Sequence, residues 1–133
     1  VTIVVDASVA ALWVLPQAGS DRAGALRTEP RLIAPTLVAA EIGSALWKAV
    51  RRGDVTRDIS LTALQGALNP FHELIPDGDL RNRALELAIE LDHPIYDCFY
   101  LALAERERCP MVTADKRLLA AAKKFKGAEV RAL

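Results

Sequence analysis

Several things are scarce in this chain, and each scarcity excludes a class of protein. Charge of one sign is missing: Lys and Arg total 17, Asp and Glu total 17, and the formal net charge is zero. A polybasic nucleic-acid binder working through bulk charge is therefore excluded, although a local basic face is not. Cysteine is rare. Cys98 and Cys109 stand eleven positions apart, with no CxxC pair and no His/Cys ligand spacing. Neither a structural zinc site nor a disulfide scaffold is expected, and the two thiols read as buried groups in a reducing cytoplasm. The two histidines, His72 and His93, read as loop or turn residues without a partner for a catalytic dyad. No apolar run approaches the roughly 18 residues of a membrane span. No charged segment followed by a long apolar one opens the chain, so no signal peptide is expected.

What is present suffices for one domain spanning residues 1–133. Hydrophobic residues make up 52% of the 133 positions. A chain of this size buries roughly 65–70% of its unfolded surface, so a filled core is expected and disorder is not. There is no internal repeat, low-complexity segment or linker.

The pattern along the chain alternates short strands with helices. Val1 to Val5 is a β-branched run ending at Asp6, as in a strand buried on both faces. Further strands are expected over 32–34, 71–75, 110–113 and 129–131. Helices are expected over Val9–Leu15, Asp21–Arg27, Leu37–Arg52 with Thr36 as its N-cap, 56–69, Leu80–Leu91, Ile95–Arg108 and Lys116–Phe125. This alternation argues for an α/β fold with a parallel sheet.

Four carboxylates stand apart because their neighbours are apolar. Asp6 follows Val4-Val5, and Asp115 follows Met111-Val112-Thr113-Ala114. Glu41 and Asp97 interrupt the apolar segments Leu37–Leu46 and Ile95–Ala104. A carboxylate on an apolar face is costly unless paired or cation-bound. Lys48 lies nearly two turns from Glu41, and no Lys or Arg lies three or four positions from Asp97. Asp6 and Asp115 follow strands, and the carboxyl ends of strands in open α/β sheets are where ligands sit. Four converging carboxylates need neutralising, and hard divalent cations do that; with no His or Cys in the set, Mg²⁺ or Mn²⁺ fits better than zinc. Taken singly, each acid also has a simpler reading: helix capping for Asp6 and Asp115, a remote arginine partner for Glu41, a helix-dipole role for Asp97. Ser8 and Thr113, hydroxyls beside Asp6 and Asp115, could orient a carboxylate or a water, or serve as ordinary caps. Trp13 and Trp47 lie on apolar helix faces, as for core or a protein interface rather than base stacking.

The segments Val4-Val5-Asp6-Ala7-Ser8, Val38-Ala39-Ala40-Glu41-Ile42, Ile95 through Ala104 and Val112-Thr113-Ala114-Asp115-Lys116, in that order, resemble PIN-domain proteins. Within them the chain looks most like the VapC toxins of bacterial toxin–antitoxin pairs. The resemblance spans essentially the whole chain. It implies a three-layer α/β/α sandwich with a five-stranded parallel sheet. It also implies an acidic metal site of Asp6, Glu41, Asp97 and Asp115, with Asp6, Asp97 and Asp115 as ligands of Mg²⁺ or Mn²⁺. The implied activity is metal-dependent endoribonuclease, acting as a homodimer and held inactive by a VapB-type antitoxin. Some family members carry a further acid just beyond the last one; Leu118 and Leu119 occupy that stretch here, which departs from a site holding two metals.

RNA also needs a positive rim. Between Asp115 and Leu133, Lys116, Arg117, Lys123, Lys124, Lys126 and Arg131 face only Asp115 and Glu129. Arg51 and Arg52 add a second basic spot, and Arg51, Arg52, Lys116, Lys123 and Lys124 are candidate RNA contacts. Leu12, Trp13, Leu46 and Trp47 are candidates for docking a partner helix. A receiver-type phosphotransfer domain would need paired acids after the first strand, and a haloacid-dehalogenase-like phosphatase a second Asp where Ser8 stands. The remaining alternative is a non-catalytic PIN scaffold that binds RNA or protein.

Overall fold

A computed structural model describes residues Val1–Leu133. Five strands form one parallel sheet: β1 (Thr2–Val5), β2 (Arg31–Pro35), β3 (Glu73–Ile75), β4 (Met111–Thr113) and β5 (Val130–Ala132). Seven helices connect them: α1 (Ala7–Ala10), α2 (Ser20–Leu26), α3 (Val38–Arg51), α4 (Arg57–Leu68), α5 (Arg81–Leu91), α6 (Ile95–Glu107) and α7 (Lys116–Ala122). The strand order is β3-β2-β1-β4-β5. Every pairing is parallel, with Val4 opposite Ile33 on one side of β1 and Met111 on the other.

The central strand is apolar on both faces because both are covered, as parallel sheets require. Val4 points into the larger core cluster, with Ile33, Met111, Ile42, Leu87, Leu103 and Leu118. Ile3 and Val5 point the other way, into a smaller cluster with Leu32, Val112, Val9, Leu12 and Ala23. The sheet is therefore the middle of three layers, with α2 and the turn after α1 on the thin side. Helix α6 is buried over Cys98 and the run Tyr100–Ala104, because it lies across β1, β2 and β4 beneath the neighbouring α5. A helix covered on most sides is expected to be apolar nearly all round.

Two sequence expectations need correction. The helix expected over Val9–Leu15 is a single α-turn, Ala7–Ala10, that tightens into a 3₁₀ turn over Ala11–Trp13. It starts early because Asp6 caps it. Thr36 does not cap α3. Its hydroxyl instead accepts the Asp77 N–H, at 3.2 Å, and Asp77 Oδ1 accepts the Leu37 N–H at 3.0 Å. The cap comes from across the fold, so neighbouring residues could not reveal it. Helix α7 stops at Ala122, and Phe125 beyond it packs into the core.

Trp13 is core-side: Nε1 donates to the Ala23 carbonyl at 2.7 Å, and the ring packs against Phe71 at 5.5 Å. Trp47 is 56% exposed, so a core role is excluded for it. His72 takes the Leu32 N–H on Nδ1 at 3.1 Å and thereby extends the β2–β3 pairing.

Truncating Leu103, fully buried in α6, to Ala should lower unfolding free energy by about 2–5 kcal/mol in urea denaturation. The same change at Leu85, which is 52% exposed, should stay within about 0.5 kcal/mol. Equal losses at the two positions would contradict this assignment of the core.

Candidate active site

The strand order reverses direction between β1 and β4: the chain steps outward from β1 through β2 to β3, then crosses back to β4 on the other side. The carboxyl ends of β1 and β4 bound such a switch point, where ligands bind in open α/β sheets. Asp6 is the residue after β1, and Asp115 lies two after β4. Glu41 and Asp97 sit in the first turns of α3 and α6, the end of a helix that favours a negative charge.

Asp6 is 3% exposed and every contact it makes comes from a neutral donor. Oδ1 accepts from the Ser8 hydroxyl at 2.6 Å and from the Val9 N–H at 3.2 Å, and Oδ2 accepts from the Thr113 hydroxyl. Burial nevertheless pushes its carboxyl up to about 6; these hydrogen bonds pull against that and the charge of Asp97 adds to it. Ser8 Oγ also accepts the Ala114 N–H at 2.9 Å, and Thr113 Oγ1 the Asp115 N–H at 3.0 Å. These two hydroxyls thus tie the end of β1 to the end of β4. The capping role of Asp6 holds as well, through Val9, alongside its position in the cluster.

Glu41 is half-buried, and its Oε1 accepts from Tyr100 Oη at 2.7 Å. Burial raises its pKa; the Tyr100 bond opposes this, and Asp97 and Asp77 reinforce it. Burial and the charge of Glu41 drive the Tyr100 hydroxyl far above its ordinary range, so it remains a donor. Asp97 Oδ2 lies 2.6 Å from His93 Nε2, and the His93 side chain is 8% exposed. His93 is therefore not the partnerless turn residue expected from sequence. The i−4 spacing that joins it to Asp97 was readable, but it goes unnoticed when only Lys and Arg are considered as partners. Asp115 caps α7, accepting the Arg117 and Leu118 N–H groups at 2.8 and 3.3 Å, both on Oδ1. Its link to the other acids runs through Thr113 rather than by direct approach.

Asp97 thus lies within electrostatic reach of both Asp6 and Glu41, and none of the four acids is ion-paired with Lys or Arg. No three His, Cys, Asp or Glu side chains already close on a common point at ligand distance. The donor set is nevertheless all oxygen and anionic, with uncompensated repulsion among its members. That chemistry fits a hard divalent cation. Cys98, beside Asp97, is buried, and burial pushes its thiol up to about 11, which leaves it inert as a nucleophile.

A cleft of about 570 Å³ opens beside the acids, between the α1 turn and α3. Ser8 and Glu41 line it, as do Lys48 and Arg52 further along α3. Arg51 stacks over the Trp47 ring at 4.8 Å. Lys116 is exposed beside Asp115, and Lys123 is exposed just past the end of α7. Lys124 lines a separate pocket with Arg83, Glu90 and Glu105, near the far end of α6 from Asp97. Tyr100, His93, Asp77 and Lys48 are the site-region residues whose contacts the sequence did not reveal.

A PIN domain model matches residues 3–124. Ribonuclease VapC3 of Pyrobaculum aerophilum is 32% identical over 119 residues, covering 87% of this chain and 91% of that protein. Ribonuclease VapC9 of Mycobacterium tuberculosis is 39% identical over 116 residues, covering 87% of each. The crystal structure of PAE2754 from Pyrobaculum aerophilum superposes with a TM-score of 0.73 at 32% identity, over 98% of this chain and 83% of that one.

The raised Asp6 carboxyl fixes a pH dependence. Its folded pKa, about 6, lies above the ordinary 3.8, so the fold favours the protonated form. The associated stability is fully present below about pH 4 and is lost as pH rises through about 6. In EDTA, wild type should lose about 3 kcal/mol relative to Asp6→Asn between about pH 4 and pH 7, read from urea denaturation of both proteins. A gap that stays constant with pH would contradict the burial argument.

Proposed function

The chain belongs to the PIN-domain family, with VapC ribonucleases among its relatives, and on that premise we propose that it is a metal-dependent endoribonuclease, the toxin of a toxin–antitoxin pair. The observation that carries the reading is the grouping of Asp6, Glu41 and Asp97 at the sheet's switch point, buried or half-buried, with no Lys or Arg to neutralise them. Such a cluster persists at neutral pH at a cost in stability unless a cation joins it. In this reading Asp6, Asp97 and Asp115 hold Mg²⁺ or Mn²⁺. When bound, the ion would supply Lewis-acid polarisation of a phosphoryl oxygen and a source of hydroxide near neutral pH.

The protein's own groups have distinct tasks. Ser8 and Thr113 hold both Asp6 oxygens in place, and His93 holds one oxygen of Asp97. Glu41, kept in position by Tyr100 and raised in pKa, is suited to take a proton from the attacking water. Water adds to phosphorus, the bond from phosphorus to the 3′ oxygen breaks, and that oxygen leaves as a hydroxyl. The products are a 5′-phosphate and a 3′-hydroxyl. A VapB-type antitoxin and a second copy of the chain are the partners this reading brings. Exposed Ile59 and Leu61 on α4, and Leu85 and Ile89 on α5, leave apolar surface for them.

The competing reading is a non-catalytic PIN scaffold that binds RNA or protein. The same experiment separates the two. Wild type should cut 5′-labelled RNA with Mg²⁺ or Mn²⁺ and not with EDTA, and Asp97→Asn should be slower by roughly two orders of magnitude or more. Folded wild type that cuts nothing under any condition would favour the scaffold. Products ending in 2′,3′-cyclic phosphate would overturn the water mechanism, since they require the RNA 2′-hydroxyl as nucleophile.

A further inference from the structure

The cleft beside the acids has a charged second end. Along α3, Glu41, Lys48 and Arg52 line it in turn. At a rise of about 1.5 Å per residue, Lys48 and Arg52 lie roughly 10 and 16 Å along the helix from Glu41. Lys48, Arg51 and Arg52, all exposed, also border an open depression of about 270 Å³ with no apolar or acidic residue in its lining. Lys48 and Arg51 have no carboxylate partner. Arg52 pairs with Asp54 at 2.9 Å, but both side chains are more than half exposed. A pair so exposed is worth little and exchanges easily for a stronger anion. The Trp47 ring under Arg51 fixes the guanidinium without neutralising it.

Cations in the last turn of a helix also complement its dipole. That accounts for Lys48 and Arg51 being near the end of α3, but not for Lys48 and Arg52 lining both this depression and the cleft beside the acids. Lys124 lines a separate pocket with Glu90 and Glu105, carboxylates that pair with Arg83.

We infer that Lys48, Arg51 and Arg52 form a phosphate-binding station, and that single-stranded RNA runs along α3 from this station to the acidic cluster. The inference rests on the ribonuclease reading and adds to it a direction of approach. Phosphates bound at the basic end hold the strand in register, while the acids act on a bond some nucleotides away. Trp47, exposed at the same end, carries Arg51 over its ring and so holds that guanidinium at the station.

The test is fluorescence anisotropy with labelled single-stranded RNA of random sequence, titrated by the full chain in EDTA so that binding is read without cleavage. Wild type, Lys48→Ala with Arg52→Ala, and Arg22→Ala with Arg27→Ala are compared from about 50 to 200 mM salt. All four positions are exposed, and thermal melts check that each variant is folded. Removing two phosphate contacts should lower the slope of log K against log salt by about 1.4, so the first variant should lose about sevenfold less affinity than wild type over that range. It should also bind more weakly at low salt, while the Arg22/Arg27 variant, which removes the same charge at α2, follows wild type. Unchanged affinity and slope in the Lys48/Arg52 variant would overturn the inference and leave the patch to a protein partner. No RNA binding by wild type would also overturn the inference, whereas the ribonuclease reading itself stands or falls by the cleavage assay with Mg²⁺ or Mn²⁺.

Discussion

Asp6 ends the central strand inside the molecule, and a carboxylate there must be solvated by the protein itself. Three donors do this: the Ser8 and Thr113 hydroxyls and the Val9 N–H. Meeting that requirement shapes the surrounding backbone. It starts α1 immediately after β1 and ties the ends of β1 and β4 together through side chains 105 to 107 residues apart in sequence. Even so, burial outweighs these bonds and holds the carboxyl at about 6. The structure therefore maintains an acid that the protein alone neutralises incompletely.

The other acids are arranged around this one by the helices that bury it. Helix α6 crosses the sheet beneath β1, β2 and β4, which places Asp97 in its first turn near Asp6 while Tyr100, one turn on, reaches Glu41 on α3. Glu41, Tyr100 and Asp97 are thus held by two helices that share one core, and His93 reaches Asp97 from the connection just before α6. A change in α6 packing would move two of the acids together. The cleft along α3 extends the same arrangement outward, from an anionic centre that repels phosphate to a cationic end that attracts it.

Much of this was legible in the sequence, for a physical reason: an acid set among apolar residues has few inexpensive explanations. Asp6, Glu41, Asp97 and Asp115 stood out on that ground alone, and strands ending at Asp6 and just before Asp115 pointed to the switch point that the sheet order bears out. What the sequence hid was the identity of the partners. Tyr100 and Glu41 are 59 positions apart, and Asp77 reaches α3 from 40 positions away. Such contacts depend on the tertiary fold and leave no local spacing to read. His93 was four positions from Asp97 and could have been read, but a histidine before a proline looks like a turn. Trp47 was ambiguous because the residues around it on α3 are apolar, and only the packing shows that it stays exposed with Arg51 over its ring.

The central claim is that this cluster is completed by a divalent cation, and calorimetric titration of the full chain with Mn²⁺ in buffers of different ionisation enthalpy tests it most directly. The account predicts saturable binding that releases a proton at about pH 5, where Asp6 is largely protonated, and almost none at about pH 8, with clear weakening in Asp97→Asn. Absence of binding, or binding that ignores both pH and the Asp97 substitution, would contradict it.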